Sequence, residues 1–192
     1  VGESETLFPD FLADFQNGAP KPIYGSPPGS GINLFNSPMP DYSLIAKYDY
    51  SFIGVQTTRG CPFRCEFCQV SKWLGADYRH KPVARVIEEI RIVKSTWPDA
   101  FFFFYDDNLF ADPAFGAALF ERMASENIHL GRWGANADAA IYREDDLLDL
   151  ATGRGRLDYL GIGFESLSKS SVNTIGNPLK AALRETYGAI VE

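Results

Sequence analysis

Three cysteines, Cys61, Cys65 and Cys68, lie within eight residues and are all the cysteines the chain has. Thiols at i, i+4 and i+7 can converge on one centre from a single short loop, and Gly60 and Pro62 suit a backbone that must wrap round it. An odd number packed this tightly is not a disulfide framework, which spreads its cysteines along the chain. It reads as a metal-ligand cluster in a reducing compartment, so the chain is expected in the cytoplasm. Iron–sulfur clusters are held by thiolates, and three protein ligands leave one iron of a four-iron cubane open to a small molecule. Two other centres draw on the same residue types. One is a Cys₃His zinc site completed by His80, although such sites usually come as two CxxC-like pairs. The other is a ferredoxin-type cluster, which here lacks its fourth cysteine.

These residues need a scaffold, and the pattern along the chain supplies one. Phe52 to Thr57, Phe101 to Tyr105, Leu130 to Ala135 and Asp158 to Phe164 read as strands. Helical spacing follows each: Val83 to Val93, a helix opened by Asp112-Pro113, one opened by Glu144-Asp145-Asp146, and one from about Ser168. Strand–helix alternation of this kind predicts a parallel sheet with helical crossovers, whose chemistry sits at the C-terminal ends of the strands. The polar residues concentrate at those ends, in Gly60 to Cys68, Asp106 to Asn108, Asn136 to Asp138, and Glu165-Ser166. Adjacent strand-end acids point to opposite faces, so Asp106 and Asp107 do not form a glycosidase-type pair. One of them caps the following turn or faces a ligand, and Ser166 has the same two options. Trp73, Trp97 and Trp133 are expected in packing, His80 in a structural place, and Arg79 in an ion pair.

Before the alternation begins, residues 5–17 have roughly helical apolar spacing, and Gly18 supplies a stop. Residues 19–41 are rich in Pro and Gly and read as a linker or a loop lying over a surface. The compact part is expected from about Asp41. The opening lacks a signal-peptide pattern, and the last residues run into an amphipathic helix without a stop, so the sequence is expected to be a piece of a longer chain.

Composition narrows the function classes. The 192 residues carry 18 Lys+Arg and 25 Asp+Glu, a net charge of −7, with 45% hydrophobic residues. That apolar fraction excludes wholesale disorder. The longest apolar run, Ala100 to Tyr105, is far short of the ~20 residues a membrane helix needs, so no membrane partner is expected. An acidic chain without a Lys/Arg cluster is a poor nonspecific binder of nucleic acid.

Cys61-x-x-x-Cys65-x-Phe67-Cys68, following the first strand of a βα series, resembles the radical S-adenosylmethionine (SAM) superfamily. Thr57 to Phe63, Gly75 to His80, Asp106 to Phe110 and Gly161 to Ser166 are similar to the branch that carries a cobalamin-binding domain before the core. The resemblance implies a partial (βα) barrel, of which this chain would hold about four of six βα units over 41–192. Residues 1–40 would be the tail of the upstream domain and its linker. It implies a 4Fe-4S cluster on the three cysteines and SAM on the open iron. Phe67 would pack near the adenine, with Asp106, Asp107, Asn136, Glu165 and Ser166 as SAM contacts. Asp138 would face SAM or the substrate. The implied activity is reductive cleavage of SAM to start radical chemistry on a small-molecule substrate, cobalamin-dependent and extending to methyl transfer. Electrons would come from a donor such as flavodoxin or ferredoxin. A non-catalytic iron–sulfur or zinc protein uses the same cysteines and stays open as the alternative.

Overall fold

The structure is a computed structural model and describes residues 1–27, 30–166 and 168–173. Four strands, β1 (Phe52–Val55), β4 (Phe101–Phe104), β5 (Arg132–Asp138) and β6 (Arg156–Gly163), pair in that order, all parallel. A separate two-stranded ribbon, β2 (Thr58–Arg59) and β3 (Arg79–His80), is antiparallel. The helices are α1 (Ser4–Gln16), α2 (Gln69–Trp73), α3 (Val83–Thr96), α4 (Pro113–Ser125), α5 (Asp145–Thr152) and α6 (Lys169–Asn173).

Because each parallel strand pairs with the next one in the chain order of the large sheet, every crossover runs in the same direction. Right-handed crossovers of one direction place their helices on one face. Accordingly α3 packs on α4, and α4 on α5. The result is a curved wall of βα units with one helix-covered face, the expected partial barrel, rather than a sheet sandwiched between two helix layers.

The core lies between that face and the helices. Val86, Ile90 and Val93 of α3 and Phe115, Leu119, Phe120 and Met123 of α4 are buried against Phe102, Phe104 and Trp133. Phe104 meets Trp133 edge-on at 5.7 Å between centroids, and Phe120 closes the group at 5.7 Å from Trp133. The Asp112 side chain caps α4 by accepting from the Ala114 and Phe115 N–H groups, with Pro113 at the first turn.

The apolar run at Phe101–Phe104 divides between the two faces. Phe102 and Phe104 are buried, whereas Phe101 and Phe103 lie on the opposite, concave face with the rings of Phe52 and Tyr159. That division is the ordinary alternation of a strand. Strand β5 runs three residues beyond the expected Ala135, which brings Asn136 and Asp138 into the sheet. Strand β1 stops at Val55 because the N–H groups of Thr57 and Thr58 go to Asp106.

One expectation is corrected. Trp97 and Trp133 are buried, but Trp73 is 51% exposed on the outside of α2 and does not pack. Residues 19–27 and 30–41 are largely irregular, as expected of a loop lying over a surface: Leu34 is buried, Ile32 donates its N–H to Glu3 at 3.0 Å, and its carbonyl accepts from Arg79 at 2.7 Å. The helix expected from Ser168 begins at Lys169, and the later residues of that expectation lie outside the described part.

Candidate functional site

The loop that carries the cysteines is held at both ends before any ligand is considered. At its entrance, the Asp106 carboxylate at the end of β4 accepts four hydrogen bonds. They come from the Thr57 N–H (2.8 Å) and hydroxyl (2.9 Å) and the Thr58 N–H (2.5 Å) and hydroxyl (2.9 Å). Asp106 is 1% exposed. Burial pushes its pKa up to about 6 despite the four donors, which favour the ionised form. At its exit, the Tyr78 hydroxyl donates to the Leu109 carbonyl at 3.0 Å, and the Lys81 ammonium meets the buried Glu89 carboxylate at 2.7 Å. Between the two, Gly60 adopts φ +87°, and a β-carbon there would overlap the Asp77 carbonyl, so only glycine permits this turn.

Within the loop Cys65 is buried and Cys61 and Cys68 are half-buried, and none of the three is in a disulfide. The Cys68 N–H donates to the Cys65 carbonyl at 3.0 Å, a tight turn that brings the last two cysteines to one side. Burial pushes the Cys61 thiol up, the Phe63 N–H draws it down, and the proximity of Cys65 and Cys68 raises it again.

All three cysteines line one cleft of about 400 Å³ at the C-terminal ends of the strands. Phe63 and Phe67 come from the loop, Asp107 and Asn108 follow β4, and Asn136, Ala137 and Asp138 come from β5. Gly161 and Gly163 of β6, with Tyr159 and Glu165, complete the opposite side. Its polar lining is rich in acceptors. Asn108 donates its amide to Asp138 at 2.5 Å, which fixes its Oδ1 as an acceptor, and that oxygen is buried without a partner. A buried acceptor without a donor is costly.

Residues 55–190 match the radical SAM superfamily. The chain belongs to the radical SAM superfamily. Among curated proteins it is 28% identical over 198 residues to the bacteriochlorophyllide d C-12(1)-methyltransferase of Chlorobaculum tepidum, covering 99% of this chain and 41% of that one. It is 27% identical over 157 residues to the anaerobic magnesium-protoporphyrin IX monomethyl ester cyclase of Cereibacter sphaeroides, covering 74% and 24%. Among solved structures, the cobalamin-dependent SAM radical enzyme OxsB with aqua-cobalamin bound shares the fold at a TM-score of 0.72 and 15% identity, over 95% of this chain and 30% of that one. The chain therefore spans less than half the length of each.

Radical SAM proteins bind a 4Fe-4S cluster and SAM, and the residues of this chain fit both groups. Three soft sulfur donors share one cleft, as a multi-iron cluster requires. Among the described residues no three His, Cys, Asp or Glu side chains close on a point the size of a single metal ion. His80 does not line the cleft; its ring stacks on Phe115 at 4.5 Å, and it takes the structural place expected of it. For SAM, the fit is between its cationic sulfonium and ammonium and an acceptor-rich wall of Asp107, Asp138 and Glu165.

The structure separates the expected SAM contacts into two groups. Phe67, Asp107, Asn136 and Glu165 line the cleft, as does Asp138. Asp106 does not. Its carboxylate is occupied by Thr57 and Thr58, and it supports the loop from behind. Ser166 is also outside the lining; its hydroxyl accepts the Ser168 N–H at 3.0 Å and caps the turn towards α6. Asn136 belongs to both groups in effect, because its amide also donates to the Asp106 carbonyl at 3.2 Å. Asn108, within the strand-end segment expected to carry polar site residues, and Tyr159, which was not expected there, also line the cleft. Tyr159 sits mid-strand in β6, where no local signal marks it as a cleft residue.

Proposed function

We propose that this chain is the core of a cobalamin-dependent radical SAM enzyme that transfers a methyl group to an unactivated carbon of a small-molecule substrate. The observation that carries the reading is the single cleft shared by Cys61, Cys65 and Cys68 with Asp107, Asn136, Asp138 and Glu165. When bound, the cluster and SAM supply one-electron reductive cleavage of SAM to methionine and a 5′-deoxyadenosyl radical. The chain's own residues bind and orient. Asp107 and Glu165, both open to solvent in the cleft, face the cationic parts of SAM. Asn136 and Asp138 hold the β5 side of the cleft, with Asn108 donating its amide to Asp138 behind it. Phe67 covers the adenine, an exposed ring at the cleft edge suited to stacking on a base. Cobalamin and methyl transfer rest on the relatives' chemistry, and the electron donor is of the flavodoxin or ferredoxin class. A thiolate cluster needs a reducing compartment, and that supports a cytoplasmic location.

The test is anaerobic reconstitution of the full chain with iron and sulfide, reduction, and EPR spectroscopy with and without SAM. The expected result is a reduced 4Fe-4S signal that changes shape on SAM addition, with 5′-deoxyadenosine formed. A cluster signal indifferent to SAM, or stoichiometric zinc in place of iron, overturns the reading. Turnover of methylcobalamin then separates methyl transfer from cyclisation or oxidation.

A further inference from the structure

The strands β2 and β3 are the two ends of the cysteine-bearing segment, and their register sets Arg59 directly opposite Arg79. Like charges facing each other across a ribbon are destabilising. Both guanidinium groups are largely removed from water, at 17% and 16% side-chain exposure. A two-residue ribbon closed by buried arginines needs an outside source of negative charge.

That source is the N-terminal segment. Glu3 grips Arg79 with both oxygens, at 2.6 and 3.0 Å, and reaches Arg59 at 3.3 Å. Glu5 takes the other side of Arg59 at 2.6 Å. Arg79 donates further to the Ile32 carbonyl at 2.7 Å and to the Leu74 carbonyl at 2.8 Å, where α2 ends after the last cysteine. Gly31 leaves the space the guanidinium occupies; a β-carbon there would overlap it. Neither glutamate lines the cleft.

We propose that Glu3 and Glu5 are positioning residues for the three thiolates: they form an electrostatic clasp that closes the base of the cysteine loop and ties it to the N-terminal segment. The assignment of those thiolates to a cluster rests on the function proposed above, whereas the clasp is a property of the apo chain. A buried bidentate pair fixes geometry in a way that a solvated surface pair does not. Attachment of residues 1–40 and order in the loop are therefore coupled, and each opens when the other does.

The experiment uses the full chain with Glu3→Gln/Glu5→Gln and, separately, Gly31→Ala, which leaves both carboxylates in place but displaces Arg79. Alkylation of Cys65 in the metal-free protein, followed by mass spectrometry, reads loop opening directly. The EPR signal of the reconstituted cluster reads its consequence. Both variants are expected to unfold cooperatively while Cys65 reacts about tenfold faster than in the wild type, with a broadened cluster signal. Wild-type reactivity and an unchanged signal in either folded variant overturn the clasp. Should the double variant fail to fold, Gly31→Ala decides alone. Faster alkylation in the variants of a chain whose wild type takes no cluster upholds the clasp and overturns the cluster reading instead.

Discussion

The sheet wall and the cysteine loop are held together by different physics. The wall rests on apolar contact: Phe102, Phe104, Phe120 and Trp133 are buried among many neighbours, so its stability is spread over a large area. The loop has little apolar support. Its place is fixed by Asp106, Tyr78, the Lys81–Glu89 pair and the acids of the N-terminal segment, each a directional contact with few substitutes. Apolar packing fixes where an element lies but tolerates small shifts, whereas charged hydrogen bonds fix orientation and fail abruptly when one partner is lost. A site that must present three sulfur atoms to one centre gains from the second kind of support.

The contrast can be broken from either side. Replacing Cys65 with Ser is expected to abolish the cluster signal altogether while leaving the apo melting curve close to the wild type, since the change is nearly isosteric and Cys65 lies outside the large hydrophobic cluster. An unfolded C65S apo protein would contradict the separation. Truncating Trp133 to Ala acts on the wall and should cost about 3–5 kcal/mol in denaturant unfolding. Thiol reactivity in that variant should follow global unfolding and show no separate early phase.

Asp106→Asn tests the junction between the two regions. The amide cannot accept all four donors from Thr57 and Thr58, and buried donors left unpaired cost roughly 1–3 kcal/mol each. We expect a loss of about 3 kcal/mol together with loss of cluster incorporation. Asp107→Asn, one residue along, should leave the melting curve in place and weaken SAM binding about tenfold, as measured by calorimetry on the reconstituted protein. Equal effects of the two substitutions would contradict the division of roles between them.

The smallest effect concerns pH. Burial alone would raise the Glu3 carboxyl, but its hydrogen bond from Arg79, the Ile32 N–H and the charges of both arginines hold it below the ordinary 4.5. Glu5 is lowered by Arg59 in the same way, against burial. Groups lowered on folding add stability above their unfolded value, and this is lost as pH falls through the folded value. Asp106, raised on folding, acts in the opposite sense between its ordinary 3.8 and about 6. A comparison that cancels it is therefore needed. The stability difference between the wild type and E3Q/E5Q should be constant near neutrality and shrink below 4.5 as the wild-type carboxylates take up protons. A difference that persists at low pH would show that the glutamates act without their charge.

Much of this was legible in the residues. Alternating apolar patterns mark the four parallel strands and their helices, because period and burial are local properties. The spacing of Cys61, Cys65 and Cys68 marks a loop-borne ligand set, because seven residues of chain keep the thiols close whatever surrounds them. The small ribbon of β2 and β3 was not legible: two-residue strands have no period. Short α2 was missed for the same reason.

The chain by itself thus determined the ligand set, the wall that carries it, and the strand ends at which polar residues gather. Tertiary structure decided what each of those residues does. Asp106 and Asp107 are neighbours of the same type, and nothing local distinguishes them. Asp106 became a support because two N–H groups and two hydroxyls, 48 and 49 residues away in sequence, were left without partners where β1 ends. Ser166 became a cap because the following turn presented a free N–H. Glu3 met Arg79 across 76 residues because the ribbon placed two arginines face to face. A charged or polar group takes its role from the nearest unsatisfied partner, and for these side chains that partner is supplied by folding.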